Sequence, residues 1–281
     1  MANCIFCNNK KISKEHLWGA WWQDYYPASE KDLLTRDGHT ITARNSNNDI
    51  ISEKGLFSNV GDPLAKTTKV VCQNCNNTWM SAIEEDMKKT FHKLFINEED
   101  IISSDDILRL KKWMYLKFCL IDRAYSKQNS LVSSSLSNSK EIKEQINLIR
   151  KENWKGFLNG INLPNEFRFF IARATGELKI GSFNYIPLIM LEKDNLLNIK
   201  LIDTCMFFNG HFLGILTSND IVIKFLNNNE KFKGLLPLVN DTIKFITNKK
   251  VSARELEDSI LCELEKNIIG RKLRRNFSKS I

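Results

Sequence analysis

Two Cys-x-x-Cys pairs, Cys4-x-x-Cys7 and Cys72-x-x-Cys75, stand 64 residues apart and restrict the fold more than any other feature of the chain. Two intervening residues let both thiolates of a pair turn toward one ion, and two such knuckles complete the tetrahedral sulfur site of structural Zn2+. The fold must therefore bring the first residues against residues 72–75. A redox role for either pair needs a thioredoxin-like βαβ setting, which the flanking sequence does not offer. The remaining cysteines, Cys119, Cys205 and Cys262, lie in apolar stretches and read as packing residues. A closed Cys4 site keeps no open position for chemistry, so function has to come from what the knuckles hold in place.

At 281 residues with 42% hydrophobic content, the chain can bury a sizeable core without disulfides. It has no apolar run of about 18 residues, and "MANCIFCNNKK" lacks the charged-then-apolar order of a signal peptide. The expectation is a cytoplasmic protein with no membrane partner. The net charge of +8 is unevenly spread: Lys266, Arg271, Lys272, Arg274, Arg275 and Lys279 face no acidic residue from 266 onward. This basic tail, with Arg271, Lys272, Arg274 and Arg275 as candidate phosphate contacts, reads equally as a nucleic-acid arm or as a solubilising end.

Three segments differ in texture. Residues 1–98 hold both knuckles, and "TARNSNNDIISEKG" reads as loop or short hairpin. "TKVVCQNC" reads as a strand entering the second knuckle. Asn76 or Asn77 then caps a helix with Trp79, Ile83, Met87 and Phe91 at steps of four. Residues 99–265 read as a mixed α+β domain. Helices are expected over "SSDDILRLKKWMYLKFCLIDRAYS", where Ile107, Leu110, Trp113 or Met114, Lys117 or Phe118, and Ile121 share a face, and over 139–158, joined by a Ser/Asn-rich connection. Strands are expected at "EFRFFIARA", "LKIGSFNYIPLIML", "NIKLIDTCMFFNG", "FLGILTS" and "IVIKFL". "ARELEDSILCELEKNII" closes the domain as a helix, and 266–281 form the tail.

Glu15 and His16 follow the first knuckle in "SKEHLW", and Asn76 follows the second. By themselves Glu15 and His16 could be a polar pair at the start of a helix capped by Ser13. With one shared ion, however, residues 61 apart in sequence can meet. Trp18, Trp21, Trp22 and Trp79 read as the core of a small zinc module, with a base-stacking platform as the alternative.

The elements "CIFC", "SKEHLW" and "VCQNCNNTWMSAIEE" resemble the HNH endonucleases, in the version where two knuckles frame a ββα-metal site. The last element is similar to a C-x-x-C-N-x-x-W-M-S-x-x-E string of small bacterial HNH-type proteins, several associated with defence against phage. The resemblance covers residues 1 to about 95 and implies an α+β chain whose first module is a zinc-stabilised treble clef. It implies His16 as general base, and Glu15 and Asn76 as ligands of a catalytic Mg2+ or Mn2+, with Asn77 and Glu84 as alternatives to Asn76. It also implies a nucleic-acid substrate, DNA before RNA, and a regulatory or sensor partner such as an ATPase; oligomerisation is left open. Two features depart from the pattern: Glu15 stands where Asp is usual, and "EHLWGAWW" lacks the proline that commonly follows. The alternative is a zinc-stabilised protein that binds nucleic acid or protein through an inactive module; no phosphate-binding G-x-x-x-x-G-K-[ST] occurs in the chain.

If the C-terminal basic residues contact phosphates, replacing the lysines and arginines between 271 and 279 by glutamine flattens the salt dependence of nucleic-acid binding. The slope of log K against log salt falls by up to about 0.9 per lost contact. An unchanged slope assigns them to solubility.

Overall fold

The computed structural model describes residues 3–25, 41–44, 50–53, 63–65, 67–126, 140–175, 181–191, 199–239, 241–244 and 249–277. For 41–44, 50–53, 63, 125–126, 140, 142–143, 182, 187–191, 199–200, 265 and 268–277 it describes the backbone alone. The Ser/Asn-rich connection expected before residue 140, and His39, lie outside the described residues.

In the N-terminal part, β1 (Ile12–His16) pairs antiparallel with β4 (Thr67–Cys72), and β2 (Ile41–Arg44) with β3 (Ile50–Glu53). A helical turn, Gln73–Cys75, runs through a π turn, Asn76–Met80, into α1 (Ser81–Phe91) and a second π turn, His92–Ile96. The four-residue spacing read in the sequence holds: Ile83, Met87 and Phe91 are buried. The helix starts earlier than the asparagine caps suggest. Cys72 is the extended N-cap residue, and its Sγ accepts from the Cys75 N–H, so the knuckle itself is the first helical turn.

Next come β5 (Ile101–Ile102) and α2 (Ser104–Ser126). A reciprocal cap opens α2: the Asp106 N–H donates to Ser103 Oγ at 3.2 Å, and the Ser103 N–H donates to Asp106 Oδ2 at 3.1 Å. Lys93, at 2.6 Å from the same carboxylate, joins the end of the preceding helix to this cap. α3 (Lys140–Gly156) follows, and then the main sheet of β6 (Arg168–Thr175), β7 (Ser182–Leu191), β8 (Ile199–Asn209), β9 (Phe212–Thr217) and the short β10 (Leu236–Pro237).

The strands run in the spatial order β10-β6-β9-β8-β7, with all of these pairs antiparallel. β11 (Ile243–Lys244) pairs with β5, and β12 (Val251–Ser252) lies parallel to β6. Two helices complete the chain, α4 (Asp220–Asn228) and α5 (Ala253–Phe277). α4 occupies the "IVIKFL" stretch expected as a strand. Asn219 caps it through its side chain, and Val222 and Leu226, four apart, bury on one face. A run of six apolar-rich residues does not distinguish strand from helix until the cap is recognised. The backbone of residues 266–277 continues α5, while the side chains of Arg271, Lys272, Arg274 and Arg275 lie outside the described residues.

Period-two alternation divides the sheet between two apolar layers. Phe169, Ile171, Cys205, Phe207, Phe212 and Leu216 face one cluster, and Phe170, Ala172, Met206, Phe208, Leu213 and Ile215 face the other. The second is covered by Val222 and Leu226 of α4 and by Leu256, Ile260 and Leu264 of α5. The first meets α2 and the N-terminal part together, in one continuous core from Cys4 to Leu238 that crosses residue 98. Trp22 packs on Phe91, Trp113 and Phe212, with ring centroids 4.3, 5.9 and 6.1 Å apart. Trp18 and Trp22 are thereby buried, as core aromatics rather than a stacking platform.

Two buried polar clusters tie these layers. Arg173 of β6 donates to the Leu94 carbonyl at 3.0 Å and the Glu99 carbonyl at 2.8 Å, and pairs with Asp100, fastening the end of the N-terminal helix to the sheet. The other joins α2, α3, β7 and β8. The Tyr185 hydroxyl lies 2.8 Å from both Asp122 Oδ1 and Asp203 Oδ1. Asp122 also takes the Trp154 indole N–H at 3.0 Å and the Arg150 guanidinium at 2.8 Å. One hydroxyl has one proton to donate, so an acid must bring the second. Asp122 holds the arginine, and Asp203 is the acid that stays protonated: burial, then the Asp122 charge, push it up to about 7.

A carboxyl raised from its ordinary 3.8 to about 7 stabilises the fold below pH 4, and that contribution is lost as pH rises through 7. Denaturant unfolding of wild type and Asp203→Asn between pH 5.5 and 8.5 is the check: wild type loses stability relative to the variant as pH rises. A pH-independent difference contradicts the assignment.

Candidate metal centre and polar site

The first knuckle is a closed turn. The Cys4 N–H donates to the Asn9 carbonyl at 2.8 Å, and the Asn8 N–H donates to the Cys4 carbonyl at 3.0 Å. Asn8 has a φ of 63°, a left-handed conformation that asparagine accepts more readily than most residues. The Ile5 N–H reaches the Val70 carbonyl at 3.0 Å, docking this turn on β4. The second knuckle ends that same strand.

The result is a four-thiol cluster. Cys7 and Cys72 Sγ are 3.4 Å apart, Cys4 and Cys75 Sγ 3.9 Å, and all four lie within 4.8 Å of one another. A tetrahedron with sulfur about 2.3 Å from its centre has edges of about 3.8 Å, so the donor set fits a metal such as zinc. Burial pushes the Cys75 thiol up, so that without an ion the thiol keeps its proton. Metal binding at the cluster then releases protons.

Asn76 meets the end of β1 that carries Glu15 and His16, beside this cluster. β1 and β4 pair Ser13 with Val71 and then Glu15 with Thr68, leaving β4 one residue longer between those pairs. Such a bulge twists a strand and re-aims its side chains. Glu15 is buried and His16 half-buried. Asn76 Nδ2 donates to the Lys14 carbonyl at 3.3 Å, holding the start of the helix against β1. Among the described residues His16 Nδ1 is buried without a hydrogen-bond partner.

Two further charged residues complete the site. Lys117, 1% exposed and projecting from α2, ion-pairs with Glu84 of α1 and lies 3.6 Å from Glu15 Oε1. Its ammonium also donates to the His16 carbonyl at 3.0 Å. The other Glu84 oxygen accepts the Trp21 indole N–H at 2.9 Å. Gly19 leaves room for this arrangement, since a Cβ there would collide with both Glu84 Oε2 and the Trp21 ring. Burial raises the Glu15 carboxyl; Lys117 pulls it down, Glu84 pushes it up, and the neighbouring Asn76 amide lowers it.

Sequence reasoning named Glu15, His16 and Asn76 and held Glu84 as an alternative ligand, but it passed over Lys117. The signal was present: a lysine on the same helical face as Leu110, Trp113, Met114 and Ile121 needs a buried acid. Neither His92 nor His211, both exposed, joins the site. No family model, curated protein or solved structure matches the chain. Among the described residues no helix is long and apolar enough to cross a membrane.

Purified protein is expected to carry about one zinc per chain by elemental analysis. Cys75→Ser, or a strong chelator, removes it and lowers the thermal midpoint by more than about 8 °C, several kcal/mol for a chain of this size. Full retention of stability without metal contradicts a structural zinc.

Proposed function

We propose that residues 1–98 form an HNH-type, treble-clef nuclease module that hydrolyses phosphodiester bonds in nucleic acid, with DNA preferred to RNA. The carrying observation is that Asn76, at the second knuckle, meets the end of β1 where Glu15 and His16 stand. The four-thiol cluster supplies the rigid base, with zinc as its ion. Glu15 and Asn76 would hold a divalent cation, Mg2+ or Mn2+, which supplies charge neutralisation at the phosphate and at the departing 3′ oxygen when bound.

His16 acts as general base. Its imidazole takes a proton from the attacking water as the new phosphorus–oxygen bond forms and the bond to the 3′ oxygen breaks, leaving a 5′ phosphate and a 3′ hydroxyl once that oxygen is protonated from solvent. Asn76 positions the strand that carries His16 through the Lys14 carbonyl. The C-terminal sheet and helices serve substrate choice, oligomerisation or docking to a regulatory partner such as an ATPase, and a role as effector in phage defence follows from the resemblance.

One observation favours a second reading, a zinc-stabilised binding protein with an inactive module: the Glu15 carboxylate already faces the Lys117 ammonium. Plasmid nicking with Mg2+ or Mn2+ separates the two. Wild type nicks at least about a hundredfold faster than His16→Ala, the scale of a general base. Equal rates leave only the binding protein.

A further inference from the structure

Lys117 is the charged group that the nuclease motif does not account for. It comes from α2, outside the resembling segment, and reaches the centre of the proposed site with its side chain 1% exposed. Its neighbours on that helix face, Leu110, Trp113, Met114 and Ile121, are buried and apolar. The Trp113 ring centroid lies 6.0 Å from the ammonium. An ammonium cannot stay charged in such a place without acids and acceptors around it. It has three: Glu84, Glu15 at 3.6 Å and the His16 carbonyl at 3.0 Å.

Those partners belong to two separate elements. Glu15 and His16 end β1, and Glu84 lies on α1. Lys117 therefore pins the strand bearing the base and the acid to the helix that begins at the second knuckle. It also supplies positive charge between two carboxylates where a divalent cation would supply the same. The side chains of Glu15 and Glu84 are 9% and 14% exposed, so water screens this competition little.

We propose that Lys117 is a positioning residue of the site that holds Glu15 and His16 in place and competes with a divalent cation for Glu15. The proposal rests on the nuclease reading, because it assigns Glu15 as the cation's ligand. Lys117 would thereby set how much divalent metal the site needs. It couples that requirement to the packing of α2 against the sheet, since Trp113 on the same helix packs on Phe212 of β9.

The test is Mn2+ binding to the zinc-loaded full chain, read as free Mn2+ by electron paramagnetic resonance, without substrate. Wild type and Lys117→Arg bind weakly, whereas Lys117→Met binds about tenfold or more tightly, because a buried like charge has been removed. A buried lysine with only a scaffolding role gives no such gain. Glu15→Gln abolishes binding in both the wild-type and Lys117→Met backgrounds. If Lys117→Met does not fold with its acids unpaired, Lys117→Met/Glu84→Gln against Glu84→Gln gives the same comparison. A gain short of about tenfold, or weaker binding, with Glu15 still required, overturns the role of Lys117 and leaves the nuclease reading standing. Mn2+ binding that ignores Glu15, or no binding in any variant, overturns both.

Discussion

The four-thiol cluster is the contact on which the arrangement of the N-terminal part depends. It joins Cys4 and Cys7 to Cys72 and Cys75 across an interval of 64 residues. Closing so long a loop costs chain entropy that the short β1–β4 pairing is poorly placed to offset alone. With the thiols drawn together, Ile5 docks on Val70, Ile12 falls opposite Cys72, and the register carries Glu15 and His16 toward the helical segment that bears Asn76. A site closed by four thiols has no open position for chemistry, yet the cluster decides which residues stand beside it.

Around that joint the molecule solves a second problem, the placement of buried charge. Lys117, Arg173 and Asp122 each come from the region beyond residue 98 and are almost fully buried. Each holds partners from more than one element: Lys117 grips β1 and α1, Arg173 grips the carbonyls past the N-terminal helix, and Asp122 links α2 to α3 and β7. Removing one partner from such a pair strands the other charge without solvent, so these contacts are strict about geometry even where their net stabilisation is small. Together with the aromatic packing of Trp22, Phe91, Trp113 and Phe212, they make the two halves of the chain share one core.

Much of the α+β plan was legible because it rests on local patterns. The helix of α2 shows its Ser103 and Asp106 cap and a four-residue apolar step, and β6, β8 and β9 are runs of aromatic and β-branched residues that alternate between two faces. The misreading at 221–226 has a local cause as well. Its six residues are mostly apolar, which suits either element, and the Asn219 side chain that selects the helix is a single cap. At the site, Glu15, His16 and Asn76 could be named because each stands within about a dozen residues of a cysteine pair. Lys117 could not be given its role in this way. It lies more than forty residues past the last knuckle, and a lysine on an apolar helix face reveals a need for an acid without revealing which acid.

What the sequence by itself determined is a chain whose two knuckles can close around one ion and whose helices and strands follow from their own periodicities, since thiol spacing and side-chain alternation are properties of short stretches. What only the tertiary structure decided is which charges meet. Helix packing brought the ammonium of Lys117 between Glu15 and Glu84 and one hydroxyl of Tyr185 between Asp122 and Asp203. Desolvation acts on whatever groups share a buried place, and that sharing is set by packing across the whole chain rather than by any segment of it.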